Sequence, residues 1–217
     1  MADKKISEIS NSLTNTTVAS ADVFVVVDTD ASETKKITAG NLVMGTQDMW
    51  VPAAAMYPTA TNGCTAVASA ETTATRPDMR YLAFHQSPQQ YAQFSVAMPK
   101  SWAEGTVPAN FYGTHATAVA TDVIWAIQGV CVSDNDTVDV AFGTAVVVTD
   151  TFHNAAEDLA ISPTTTAITL GGSPAAGDLA FFQVYRDADA AGDDTDSTEA
   201  NLIGVKLFYT TDAATDA

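Results

Sequence analysis

From Tyr81 to Thr210 the chain repeats one arrangement. A run of β-branched, aromatic and other apolar residues is followed by a cluster of Gly, Pro, Ser, Asn or Asp, with no amphipathic helical window in between. The runs are 81–84, 91–98, 107–114, 122–132, 138–148, 159–161, 166–170, 178–187 and 202–210. Between them sit Ser87-Pro88-Gln89, Ser133-Asp134-Asn135-Asp136 and Gly171-Gly172-Ser173-Pro174. Many short strands at this spacing predict an all-β chain, an antiparallel β-sandwich. Period-two alternation agrees: Phe94, Val96 and Met98 share one face, and Ile124, Ala126 and Gln128 lie opposite Val123, Trp125, Ile127 and Gly129. A strand apolar on both faces, as 124–132 is, either sits centrally or is covered by a neighbouring subunit. Alanine is frequent but interleaved with Thr and Val, which lowers helix propensity. One short helix is expected around Thr151–Asp158.

At 217 residues the chain has room for a small module and a body of roughly 170 residues that can bury a full core. Its 26 acidic and 9 basic residues give a net charge of -17. The basic residues after residue 46 are scattered (Arg76, Arg80, Lys100, Arg186, Lys206), so there is no stripe for nucleic-acid phosphates or an anionic membrane surface. Cys64 and Cys131 match no metal spacing and read as free, buried thiols. Residues 1–20 lack the apolar core of a secretory signal and no run has the length of a membrane span, so synthesis in a cytoplasm without membrane insertion is expected.

The composition changes near residue 46. Before it, Val23 to Val27 is a β-branched run bounded by Asp22 and Asp28, Asp30-Ala31-Ser32-Glu33 is a turn candidate, and a second strand begins near Thr34. Together they predict a hairpin preceded by an extended Ile6, Ile9, Leu13 strip, too small to hold its own core. The ordered set Lys4-Lys5-Ile6-Ser7, Asp22-Val23-Phe24-Val25-Val26-Val27-Asp28 and Thr34-Lys35-Lys36-Ile37-Thr38 with Asn41-Leu42 resembles the N-terminal attachment segment of bacteriophage fibre and appendage proteins. The resemblance covers roughly the first fifth of the chain. It implies that residues 1–46 anchor the protein to a virion, with Lys4, Ile6, Ile9, Val25, Val27, Lys35, Lys36, Ile37 and Leu42 as anchoring residues.

The body resembles β-sandwich modules of environmental phage structural proteins. The motifs are Trp50-Val51-Pro52-Ala53-Ala54-Ala55-Met56 with Pro58 and Asn62-Gly63, then Pro99-Lys100-Ser101-Trp102, then Val184-Tyr185-Arg186-Asp187 with Gly204-Val205-Lys206-Leu207. This resemblance implies that residues 47–217 form a jelly-roll-like domain that associates as a trimer. Trp50 and Trp125 are the trimer-interface candidates.

Residues that carry chemistry are sparse. In 187–196, Asp187, Asp189 and Gly192 copy the start of a calcium loop, because hard cations want several oxygens around a sharp turn. Ala191 and Thr198 stand where two more oxygen ligands belong, so an EF-hand is excluded. An irregular Ca2+ site on Asp187, Asp189, Asp193, Asp194 and Asp196 competes with a solvated hairpin loop. Asp134, Asp136 and Asp139 read as turn chemistry. His85, His115 and His153 lie in no catalytic motif, with His85 and His115 at strand ends. Arg186 is expected to pair with an acidic neighbour. Trp50, Trp102, Trp125, Tyr57, Tyr81, Tyr91, Phe111 and Tyr112 are either carbohydrate-stacking surfaces or core and interface anchors. The expectation is a non-enzymatic phage virion protein, a homotrimeric surface appendage contacting head or tail proteins. The alternative is a lectin-like tail tip that recognises host surface glycans.

Overall fold

The structure, a computed structural model, describes residues 23–28, 33–38, 45–118, 120–189 and 194–212. β1 (Val23–Asp28) and β2 (Glu33–Thr38) pair antiparallel as a two-stranded sheet of their own, with Phe24 opposite Ile37, Val25 opposite Lys36 and Val27 opposite Thr34. This is the expected hairpin. Of the anchoring residues, Lys4, Ile6, Ile9 and Leu42 lie outside the described residues.

The body contributes β3 (Thr46–Pro52), a 3-10 turn at Ala53–Ala55, β4 (Tyr57–Pro58), β5 (Ala68–Glu71), β6 (Asp78–Phe84), β7 (Tyr91–Ala97) and β8 (Ala109–Thr114). It continues with β9 (Thr121–Val132), β10 (Val146–Phe152), β11 (Ala160–Ile161), β12 (Leu179–Arg186) and β13 (Ala200–Thr210). One sheet has the order β10-β9-β12-β7-β4, and the other β11-β8-β13-β6-β5, with β3 continuing the edge of β13 that β6 begins. All of these strand pairs are antiparallel. Within them, β7-β12-β9-β10 faces β6-β13-β8-β11, the interleaved order of a jelly roll. The β-sandwich read from the sequence is therefore the observed fold.

Inward residues of both sheets make one core. Trp125 is stacked on Phe111 (5.5 Å between centroids) and meets Phe84 edge-on (5.5 Å), joining β9 to β8 and β6. Phe94 and Phe182 stack at 5.1 Å over Gly129, where an added Cβ would come within 2.6 Å of Leu170 and 3.0 Å of Phe182. Such ring pairs add about 0.5–1.5 kcal/mol each to the burial of their area.

Several expectations are corrected. On the outer face of β9, Ile124, Ala126 and Val130 are already buried within the single chain while Gln128 between them stays partly open, so the apolar residues of that face do not require a second subunit. Trp125, fully buried in that core, is not available to a trimer interface. The strand expected at Val138–Val148 begins only at Val146; before it, Gly143 N donates once to Gly129 O instead of entering a ladder. Thr166–Leu170 is not a strand. It crosses from one sheet to the other, with Thr165 N bonded to Ala109 O, Ile168 O to Val107 N and Gly171 N to Gly129 O, while Ile168 and Leu170 plug the core. No helix forms at Thr151–Asp158: Thr151 and Phe152 belong to β10, and Glu157 has a positive φ of 65° with its N–H donating to His115 O.

Candidate functional site

In an antiparallel sheet, residues opposite each other in register share a face. Tyr57 of β4 is opposite Gln93 of β7, Gln93 opposite Gln183 of β12, and Gln183 opposite Gln128 of β9. These four residues form one row across the outer face of the five-stranded sheet. A second row holds Tyr91 and Tyr185, whose rings lie 5.1 Å apart, beside Ala126. A third, on the other side, holds Ser95, Phe181 and Val130. The alternate residues Ala92, Phe94, Phe182, Val184 and Ile127 point into the core. Period-two alternation on four strands thus places amides and rings together on the outside.

Tyr57 is 46% exposed, and the glutamines, Tyr91, Tyr185 and Phe181 are half-buried. Gln128 Nε2 donates to Gln183 Oε1 at 2.7 Å. The Gln93 amide has no protein partner among the described residues. Tyr91 OH donates to Gln89 Oε1 at 2.7 Å, and Gln89 Nε2 donates to Asp187 Oδ1 at 3.1 Å, fixing one border of the face. Burial, then Asp187 and Tyr91, push the Tyr185 phenol above its ordinary value, so it stays a neutral O–H donor. The rows offer flat apolar rings beside groups that both donate and accept hydrogen bonds, with no nucleophile beside a base.

The opposite outer face is built differently. Trp50 (45% exposed) lies over Gly204, where an added Cβ would meet the indole at 2.5 Å, and meets Tyr112 edge-on at 4.9 Å. Lys206 Nζ pairs with Asp48 at 2.9 Å and lies 5.8 Å from the Phe208 ring centre. Asn110 is spent on Ser162 O and Thr164.

The other sequence candidates are occupied by structure. Arg186 is fully buried, gripping Asp194 with two nitrogens (2.8 and 2.5 Å), donating to Thr198 O (2.6 Å) and Asp196 O, and reaching Phe84 O (3.5 Å) on the other sheet. The expected acidic partner is thus Asp194. Asp196 Oδ1 accepts from Thr198 N and Oγ1, and its Oδ2 lies 3.3 Å from His115 Nδ1, while His115 Nε2 donates to His153 O. Asp194 and Asp196 therefore do not converge on a cation site, and residues 194–198 fold onto the sandwich rather than forming a solvated loop. Asp187 is taken by Gln89, and Asp193 lies outside the described residues. His85 faces Glu199 at 3.0 Å on the surface. Asn135 takes a positive φ of 70° in the Ser133–Asp136 turn, as Ser-Asp-Asn-Asp chemistry predicts. Cys64 and Cys131 are buried and free, and burial pushes their thiols to about 12 and about 11, with Asp178 adding to the second. Trp102, Trp125 and Phe111 are core, not ligand surface.

Sequence reasoning named Tyr57 and Tyr91 but passed over Gln93, Gln183 and Tyr185. Their signal is the alternation Tyr91-x-Gln93 and Phe181-x-Gln183-x-Tyr185, which puts polar and aromatic residues where a solvated face would carry charge.

No protein-family model matches the chain, and no curated protein matches it. Among solved structures it is similar to a cycloisomaltooligosaccharide glucanotransferase of Paenibacillus sp. complexed with cycloisomaltoheptaose (12% identity, TM-score 0.34), covering 72% of this chain and 18% of that one. It is also similar to TmCBM61 in complex with beta-1,4-galactotriose (12%, TM-score 0.32; 76% and 86% covered). A third is the family 11 carbohydrate-binding module of Clostridium thermocellum in complex with a beta-1,3-1,4-mixed-linked tetrasaccharide (10%, TM-score 0.35; 76% and 88% covered). At these identities and TM-scores the likeness assigns no ligand to this chain.

Proposed function

We propose that the chain is a non-enzymatic bacteriophage virion protein, a surface appendage of the capsid-decoration, head-fibre or short-tail-fibre kind. Residues 1–46 anchor it to a head or tail protein, and residues 47–217 form an outward body that trimerises. The observation that carries this reading is the ordered attachment-type segment, whose central strands pair with each other as a two-stranded sheet among the described residues, followed by a jelly roll. Jelly rolls serve both viral capsid and lectin domains, so the fold is compatible with the reading without assigning it. For the trimer, Trp50 is the remaining candidate, since a half-exposed indole seated on its own backbone offers an apolar contact at little further cost in side-chain entropy.

Immunogold microscopy of purified particles with antiserum against residues 47–217 tests the proposal. Label over the head makes the protein a decoration or head fibre, and label on the tail makes it a fibre. Unlabelled particles overturn the reading. A chain beginning at Met49 should fail to decorate, and full occupancy by that chain would remove the anchoring role of residues 1–46.

The second reading, a receptor-binding tip, is favoured by the tyrosine and glutamine rows on the five-stranded sheet. Both readings share a body that binds and does not turn over substrate.

A further inference from the structure

We infer that the outer face of the five-stranded sheet is a binding site for an uncharged oligosaccharide, lying along the row Tyr57, Gln93, Gln183, Gln128. This deepens the glycan reading and rests on it, independently of where on a virion the protein sits. The row crosses four strands. Three inter-strand spacings give it a length of about 14 Å, that of a short oligosaccharide.

Three properties of the face select this ligand. Among the described residues the Gln93 amide has no protein partner, and the single bond between Gln128 and Gln183 leaves one donor end and one acceptor end, on Gln183 and Gln128 respectively. A sugar hydroxyl both donates and accepts, and neighbouring hydroxyls meet an amide in the same two-pronged way. Tyr57 at the head of the row and the Tyr91–Tyr185 pair along its side present rings on which the C–H face of a pyranose can rest. No ionised side chain stands in the rows, Asp187 stands at their border, and the chain carries a net charge of -17. Charge complementarity therefore favours an uncharged glycan and disfavours sulfated, uronic or phosphorylated ones.

The site is carried on strands rather than loops, and its rear is the stacked Phe94–Phe182 pair of the core. It is thus held in shape before a ligand arrives, which lowers the ordering cost of binding a weak, hydrated partner. A protein partner fits less well. Its tyrosines would suit a protein interface too, but the amides here would need matched partners on a protein surface to be buried without cost.

The test is binding of the full-length protein to immobilised maltoheptaose, cellopentaose, linear galactan and yeast mannan, with chondroitin sulfate as the anionic probe. At least one uncharged probe should bind, and chondroitin sulfate should not. Tyr57→Ala and Gln183→Ala should each weaken binding about tenfold or more. Gln183→Glu, which keeps the shape and adds a charge, should do the same while melting as the parent does. Trp50→Ala should bind as the parent does. Binding unchanged in the Tyr57→Ala/Gln183→Ala double variant overturns the site but leaves the glycan reading standing. Absence of binding to every uncharged probe overturns both. A smaller oligomeric mass for the double variant by light scattering also overturns the site, because it assigns the face to a second copy.

Discussion

The two outer faces of the sandwich use aromatic residues in opposite ways. On the six-stranded sheet, Trp50 lies against the bare backbone of Gly204 with Tyr112 at its edge, and its polar neighbours Lys206, Asp48 and Asn110 are already paired within the chain. On the five-stranded sheet, rings stand beside amides whose bonding capacity is partly unused. A face with satisfied polar groups and one large ring is suited to dry contact with another protein surface. A face with open amides between rings is suited to a ligand that brings its own hydroxyls.

Both faces belong to one sandwich, and Arg186 is where the tie between its two sheets breaks most easily. It belongs to β12, yet it reaches Phe84 O on β6 and the segment leading into β13. Arg186→Met leaves Asp194 buried without its partner and should cost about 3–5 kcal/mol in urea unfolding, while adding Asp194→Leu should recover much of the loss. The proposed oligomerisation and the proposed glycan binding should then fail together in the single variant and return together in the double one.

Gly204→Ala separates the faces. Its Cβ would meet Trp50 at 2.5 Å and Val51 O at 2.7 Å, so the indole must lift. The expected cost is roughly 1–3 kcal/mol. Fluorescence of the one exposed tryptophan should change and the proposed oligomer should weaken, with the proposed glycan binding untouched. Equal loss at both faces would dissolve the distinction.

The smallest effect concerns pH. Asp150 is buried on β10, its Oδ2 has no hydrogen-bond partner among the described residues, and burial pushes its carboxyl up to about 6; Asp122 adds, while His153 and the Trp125 indole work against it. The Trp125 N–H lies beside the carboxylate without hydrogen-bond geometry. Between about pH 4 and 6 the folded chain holds a proton that the unfolded chain has lost, so this group's contribution to stability falls as pH rises through that window and stays low above it. Asp150→Asn should therefore stabilise by about 1–2 kcal/mol at pH 7 and by nothing below pH 4, read by thermal melting across pH. The glutamine row does not titrate, so glycan binding should stay level from pH 5 to 8.

Much of the fold was legible because a strand buried on one face writes its period into the sequence. β6, β7, β8, β9, β12 and β13 fall where alternation placed them, and the hairpin of β1 and β2 falls on its Asp-bounded apolar run. β3 and β5 were passed over because β3 opens with the polar Thr46, Gln47 and Asp48, and in β5 only the small Ala68 and Ala70 alternate with Ser69 and Glu71, so neither carries an apolar run. The run before Val146 and Thr166–Leu170 have strand composition but spend their backbone groups singly. Composition reports burial, not which carbonyl a given N–H will reach.

The same division holds for the candidate site. The amino-acid order by itself determined the antiparallel β-sandwich class, the hairpin of β1 and β2 and the absence of a basic stripe, because each follows from local pattern or from charge; the jelly-roll form of the body was what the resemblance implied. The order also held the alternations that put Gln93, Gln128 and Gln183 on outer faces. The tertiary structure decided that those glutamines and Tyr57 stand in one row, that Asp194 serves Arg186 instead of a cation, and that Trp125 belongs to the core while Trp50 stays outside. Each of these depends on register between strands far apart in the chain, and register is fixed by the packing of the whole sandwich.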